Sequence, residues 1–119
     1  MIIVVSASGK TLDAQVDLRF GRAAFFVAVD SESDVFQAHE NSQNLNAAQG
    51  AGIQAVQTLA KLGVQAVVTG HVGPKAWTAL QAAKISVYAA CEGTVEQVMK
   101  AFMAKQLQPV ASHNVQGHW

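Results

Sequence analysis

The feature that most constrains this chain is the regular alternation of helical and strand-like apolar patterns in its second half. Segments with the apolar period of a helix are separated by short apolar runs that are typical of buried strands. In chain order they predict a helix over 49–62, a strand over 64–69, a helix over 74–84, a strand over 85–89 and a helix from 95 onward. Because each helix carries the chain back to the edge where the next strand starts, these strands should run parallel in one sheet.

Residues at the ends of the predicted helices support these assignments. Gly63 is well placed to end the first helix, and Pro74 opens the second at a position where its missing N–H costs nothing. Thr94 and Gln97 have the spacing of a capping box at the start of the third helix.

The first half of the chain adds three more strands. Met1–Ser6 is a continuous apolar run, which indicates a strand buried on both faces. Two further strands, 25–30 and 34–39, flank a three-residue loop and predict a hairpin, and 41–46 is expected to be a surface loop. Together these helices and strands predict an α/β fold with a five-stranded mixed sheet of order 3-2-1-4-5 and helices on both faces.

Length, charge and cysteine content narrow the class of protein. The 119 residues suit one domain, which we place at 1–105, followed by a flexible C-terminal tail over 106–119. Eight basic and eight acidic residues give no net charge, which argues against a nucleic-acid binder, and no apolar run is long enough for a membrane helix. A single Cys excludes an intrachain disulfide. We expect a cytoplasmic protein that is a monomer or a weak dimer.

Three loops should meet where the sheet order reverses, which is where open α/β sheets bind ligands. They are residues 6–10, 69–75 and 90–94, and all are rich in Gly, Ser and Thr. Two of them lead directly into helices, whose first N–H groups and dipole favour an anion. The first loop ends in Gly9-Lys10-Thr11, but a phosphate-binding P-loop would also require Gly at position 4, which is Val4.

Residues of these loops and of the Arg19–Arg22 segment are candidates for holding an anionic ligand. Glycines allow close approach, Lys75 and Lys10 supply charge, and His71 supplies a titratable donor. An ordinary βα loop, and an arginine pair neutralised by Asp13 or Asp17, are the structural alternatives. The candidate cofactor-binding residues are Ser8, Lys10, Arg22, Gly70, His71, Val72, Gly73, Lys75, Cys91, Gly93 and Thr94.

Four residues are candidate metal ligands. Cys91 stands near a helix N-terminus, where a thiol can become a ligand or a nucleophile, although it is also typical of a buried structural cysteine. His71 lies in a candidate loop, and His113 and His118 belong to the tail. A metal-dependent nuclease of ribonuclease H type, which shares this element order, is disfavoured because its strands would need carboxylates. A hydrolase using Cys91 and His71 would need a third group to orient the histidine.

Taken together, several motifs resemble one family. They are Asp17-Leu18-Arg19-Phe20-Gly21-Arg22, the strand ending in Asp30, Gly50-Ala51-Gly52, Gly63-Val64 through Gly70, Gly73-Pro74-Lys75-Ala76 and Ile85-Ser86-Val87-Tyr88. The chain resembles, over residues 1–105, the dinitrogenase iron–molybdenum cofactor biosynthesis family, which includes NifX, NafY and the end of NifB. It is most similar to the orange-protein group of sulfate-reducing bacteria.

The resemblance implies a ribonuclease H-like three-layer fold without nuclease activity. It also implies non-covalent binding of a molybdenum-containing metal–sulfur cluster, either a molybdenum–copper sulfide or an iron–molybdenum–sulfur precursor. The chain would then be a carrier rather than an enzyme, with Val72 and Trp77 giving apolar contact. The alternative is a cofactor-free regulatory or interaction module that acts on a partner such as a P-loop ATPase of the ParA/MinD kind.

Overall fold

A five-stranded mixed sheet with helices on both faces forms the protein. The computed structural model describes residues 1–33, 35–41, 51–90 and 92–110. The strands are β1 (Ile2–Ala7), β2 (Phe25–Asp30), β3 (Phe36–Glu40), β4 (Ala66–Thr69) and β5 (Ser86–Ala89). The helices are α1 (Ala51–Lys61), α2 (Pro74–Ala82) and α3 (Val95–Met103), and a 3-10 turn spans Phe20–Arg22.

The predicted sheet order, β3-β2-β1-β4-β5, is confirmed. The central strand β1 pairs antiparallel with β2 and parallel with β4, and β4 pairs parallel with β5. The outer strand β3 pairs antiparallel with β2. The carboxyl ends of β1, β4 and β5 therefore lie at one edge of the sheet, as the predicted crevice requires.

The core consists of two layers, one on each face of the sheet. Alternate residues of β1 supply both, because successive side chains of a strand point to opposite faces. Val4 packs with Leu59 of α1 and Leu80 of α2, whereas Ile3 and Val5 pack against α3. In the described part of the chain, α1 and α2 thus cover one face and α3 covers the other. No helix among the described residues is long and apolar enough to cross a bilayer.

The hairpin between β2 and β3 differs from the prediction. The ladder closes with Asp30 N–H donating to Val35 O at 3.0 Å, so β3 starts at Phe36 and not at position 34. The carboxylate of Asp30 also accepts from Glu32 N–H at 2.9 Å, which stabilises a turn longer than three residues. The side chain of Asp30 thus fixes the start of the connection.

Two segments that were predicted to be surface loop or tail are partly packed. Asn41 is buried, while positions 42–50 lie outside the described residues. Residues 108–110 pair with β5: Ala89 N–H donates to Gln108 O at 3.2 Å, and Val110 N–H donates to Val87 O at 2.8 Å. The described fold therefore continues to Val110, since the edge of β5 binds backbone that the sequence pattern assigned to a flexible tail.

Candidate functional site

Two strand-to-helix corners lie at the carboxyl edge of the sheet. The first, which we call the α2 corner, comprises residues 70–75 and the neighbouring segment 19–22. The second, the α3 corner, comprises residues 92–94 and the start of α3. Both corresponding loops were predicted to face the ligand crevice, but their hydrogen bonds differ.

In the α2 corner, the backbone of the arginine-containing segment is joined to the loop after β4. His71 N–H donates to Leu18 O at 2.7 Å, and Phe20 N–H donates to His71 O at 3.2 Å. Gly70 permits this approach, since a Cβ on it would lie 2.7 Å from Leu18 Cβ and 2.8 Å from Leu18 O. These contacts bring Arg22 into the same corner as His71 without any sequence proximity.

The start of α2 has the properties of an anion-binding corner. Its N-cap is Gly73, which has no side chain to accept from the first-turn amides, and Pro74 follows at the first position. Lys75 and His71 are exposed, and Arg22 is half-buried. The start of α2, with the positive end of its dipole, therefore lies in the same corner as the backbone of three cationic or titratable residues.

The two arginines of the segment differ in their surroundings. The guanidinium of Arg19 lies 3.4 Å from the Asp17 carboxylate, so one of the two predicted structural partners is observed. Arg22 ends the 3-10 turn. Asn41, the residue after β3, holds this turn in place, since the side-chain amide of Asn41 donates to Ala23 O at 2.8 Å and to Gly21 O at 3.4 Å. This role of Asn41 was not predicted, because an Asn after a strand usually indicates an exposed turn.

The predicted apolar contact between the Val72 side chain and a ligand is wrong. Val72 is 1% exposed and packs in the core between the sheet, α1 and α2. Its side chain is therefore part of the core and does not present an apolar surface to a ligand. Trp77 is only partly buried against the same core.

The α3 corner has its first-turn amides already occupied. Val95 N–H donates to Ala14 O at 2.9 Å, and Glu96 N–H donates to Leu12 O at 2.8 Å. The predicted capping box is confirmed, with Thr94 Oγ1 accepting from Gln97 N–H at 3.2 Å and Gln97 Oε1 accepting from Thr94 N–H at 3.0 Å. The first turn of α3 thus has carbonyl or side-chain partners from this chain.

Gly93 and the neighbouring cleft also distinguish the α3 corner. Gly93 has φ +114°, a conformation that only glycine adopts readily, and its carbonyl accepts from Val16 N–H at 2.9 Å. A cleft of about 530 Å³ adjoins it, lined in part by the exposed carboxylate of Glu92 and the side chain of Gln97. A carboxylate at its rim makes this cleft less suited to a polyanion than the α2 corner.

Ser8 and Lys10 belong to a hairpin that extends β1. Ser8 N–H and Oγ both donate to Gln15 O, at 2.9 and 3.2 Å. The Lys10 ammonium lies 5.8 Å from the centre of the Phe25 ring, within the range of a cation–π contact. The described candidates thus lie in three places. Arg22, Gly70, His71, Gly73 and Lys75 share the α2 corner, Ser8 and Lys10 belong to the hairpin after β1, and Gly93 and Thr94 belong to the α3 corner.

Three predicted metal ligands lie outside the described residues, namely Cys91, His113 and His118. Within the described parts of the chain, no three His, Cys, Asp or Glu side chains are grouped as metal ligands.

Comparisons with known proteins agree with this architecture. The family model described as dinitrogenase iron-molybdenum cofactor matches residues 1–105. The apo form of the orange protein from Desulfovibrio gigas is 44% identical, with 96% of each chain covered and a TM-score of 0.93. An NMR structure of a candidate NifB protein from Thermotoga is 32% identical, with 98% of each chain covered and a TM-score of 0.86. An uncharacterized protein of Methanocaldococcus jannaschii is 29% identical over 91 residues, which are 75% of this chain and 77% of that protein.

Proposed function

Because the chain belongs to the dinitrogenase iron-molybdenum cofactor family, we propose that it carries a molybdenum-containing metal–sulfur cluster and is not an enzyme. The cluster is cargo, held without covalent attachment to the protein. A molybdenum–copper sulfide is the first candidate, given the likeness to the orange protein. An iron–molybdenum–sulfur precursor is the second.

The α2 corner is the part of the described chain that best matches such a cargo. A thiomolybdate-type cluster is a bulky polyanion, and anions are stabilised by helix N-termini and by fixed cations. The observation that carries the proposal is the glycine-capped start of α2 beside Lys75, His71 and Arg22. Gly70 lets the arginine-containing segment pack against this loop, and Gly73 caps the helix without a side chain that would occupy the first-turn amides.

Each residue has a distinct task in this proposal. Lys75 and Arg22 offset the negative charge, and the first-turn amides of α2 donate to sulfur or oxo atoms. His71 can donate in the same way or, when neutral, coordinate copper through an imidazole nitrogen. Cys91, His113 and His118 are further candidate ligands, and Lys10 and Ser8 are candidates for a more distant contact. Gly93 and Thr94 act by holding the start of α3.

A carrier needs a recipient, so we expect a protein partner that accepts the cluster. If the chain instead acts on a P-loop ATPase of the ParA/MinD kind without any cofactor, partner binding should not respond to thiomolybdate or copper. The two functions therefore differ in a measurable property.

Metal analysis and an absorption spectrum of protein purified anaerobically from its native host test the proposal. Stoichiometric molybdenum with sulfide, together with copper or iron, would support the carrier and identify its cargo. Colourless protein that binds added tetrathiomolybdate and Cu(I) would also support it, and would show that the cluster had been lost. Protein that is metal-free and takes up neither would contradict it and favour the interaction module.

A further inference from the structure

An apolar cavity lies on the α3 face of the sheet, near the end of α3. Its volume is about 410 Å³, and it is lined by Met1, Tyr88, Phe102, Met103, Lys105 and Leu107. The rings of Tyr88 and Phe102 pack edge to face in it, with their centres 4.8 Å apart. Met1 is 48% exposed and Met103 is 50% exposed, so apolar surface of this cavity contacts water. Covering that surface would remove apolar atoms from water, which is favourable.

The chain passes this cavity after α3. Leu107 lines it, and the residues that follow pair antiparallel with β5. Val110 N–H donates to Val87 O at 2.8 Å, so the described chain ends while running toward the start of β5. Because β1 and β5 both run parallel to β4, Met1 lies at this same amino edge of the sheet. The chain therefore leaves the described fold beside the cavity.

The sequence after Val110 supplies a side chain that suits the cavity. Trp119 is the largest side chain of residues 111–119. Nine residues reach about 30 Å when extended, which is ample for a cavity beside the point where the chain leaves. An indole packs favourably against other aromatic rings and against methionine sulfur. The ammonium of a lysine such as Lys105 can also lie over its face.

We propose that Trp119 packs into this cavity, with residues 111–119 folded back over the α3 face. The indole covers the exposed parts of Met1 and Met103 and lies against the two aromatic rings. The neighbouring His118 is then held near the amino edge of the sheet, whereas the α2 corner lies at the carboxyl edge. This docking removes His118 from the candidate ligands of a cluster held at the α2 corner.

Tryptophan fluorescence of the full cluster-free chain tests this docking. In Trp77→Phe, Trp119 is the remaining tryptophan, so its emission can be measured alone. We expect emission at a shorter wavelength than that of free tryptophan, and weak quenching by acrylamide, at low and high protein concentration alike. Adding Met103→Asp puts a charge into the cavity and should shift the emission to longer wavelength. Adding Ala104→Asp instead is the matched control, because position 104 is exposed at the end of the same helix and does not line the cavity.

Methionine oxidation gives a second readout that leaves Trp77 in place. Docked Trp119 shields Met103 from hydrogen peroxide, so Trp119→Ala should speed the formation of Met103 sulfoxide, followed by mass spectrometry of peptides. Met99 is the internal control, since it is only 8% exposed in the core and its oxidation rate should not change. Circular dichroism checks that each variant is folded.

Solvent-like emission from Trp119, or equal oxidation of Met103 in the wild type and in Trp119→Ala, would overturn the proposal. Shielded emission that Met103→Asp leaves unchanged would place Trp119 elsewhere and would also overturn it. Shielding that appears only at high protein concentration would overturn docking within one chain and assign the cavity to residues 111–119 of a second copy. None of these measurements involves metal, so their failure would leave the proposed carriage of a cluster unaffected.

Discussion

The hydroxyl of Ser6 lies 2.7 Å from the hydroxyl of Thr69, joining the buried ends of β1 and β4 across 63 positions of sequence. Ser6 Oγ also lies 2.6 Å from Asp17 O. Since a carbonyl can only accept and Ser6 has one hydroxyl proton, Ser6 donates to Asp17 and accepts from Thr69. This link connects the two central strands to the segment that carries both arginines.

Removing the Ser6 hydroxyl should destabilise the protein. Ser6→Ala leaves Asp17 O and the Thr69 hydroxyl without this buried partner, at a cost of about 1–3 kcal/mol in the free energy of unfolding. Urea denaturation followed by circular dichroism measures the difference. Ser8→Ala is the control because Ser8 is exposed and keeps its backbone bond to Gln15. A loss in Ser8→Ala as large as that in Ser6→Ala would contradict this assignment.

Gly70 should tolerate no side chain. Its Cβ would meet the backbone of Leu18 at under 3 Å, so Gly70→Ala must separate the loop after β4 from the arginine segment. We expect a loss of about 1–3 kcal/mol in unfolding free energy, as for other overpacked sites, and weaker cluster binding. In Gly9→Ala the nearest contact is the Ala14 Cβ at 3.2 Å, so this control should change much less. Near-native stability of Gly70→Ala would show that the loops separate readily.

Lys84 should be replaceable by glycine with a gain in stability. It follows the C-terminus of α2 with φ 60°, and Ile85 N–H donates to Leu80 O at 2.9 Å in the turn that ends the helix. A left-handed conformation costs a non-glycine residue about 1–2 kcal/mol. Glycine avoids this cost, but part of the gain is lost because glycine has more conformational entropy in the unfolded chain. Lys84→Gly should therefore raise the unfolding free energy by about 0.5–1 kcal/mol. Gln57→Gly, at an exposed position inside α1, should lower it by about 1 kcal/mol.

The two corners should respond differently to substitution. A triple variant, Arg22→Gln/His71→Gln/Lys75→Gln, lowers the positive charge at the α2 corner. Less molybdenum should therefore remain on this variant after gel filtration than on the wild-type protein. The control Lys61→Gln/Lys84→Gln removes two exposed charges elsewhere and should retain the wild-type amount. An undiminished cluster spectrum in the triple variant would exclude this site.

Thr94→Ala makes the complementary test at the α3 corner. Loss of the cap should cost about 1 kcal/mol in unfolding free energy. Because the first-turn amides of α3 already bond to this chain, cluster retention well below the melting temperature should be unchanged. A specific loss of cluster in folded Thr94→Ala protein would instead place the cargo at this corner.

The sequence was sufficient to predict those features that depend on local pattern. Apolar periodicity, Gly63, Pro74 and the Thr94–Gln97 box predicted the helices and their ends, because capping and helix propensity act within a few residues. The alternation of elements predicted the sheet order, since crossover connections have one preferred hand. Loops rich in small residues at the strand ends were correctly placed at one edge.

What the sequence alone determined is therefore the element order, the sheet and the edge that could bind a ligand. Only the tertiary structure decided which loop amides are available, because a hydrogen bond from Glu96 to Leu12, or from His71 to Leu18, joins residues far apart in the chain. The same holds for buried Val72 and Asn41, and for the pairing of residues 108–110 with β5. Burial and the pairing of backbone donors depend on which distant segments of the chain come into contact. A local pattern of residue types carries no information about those long-range contacts.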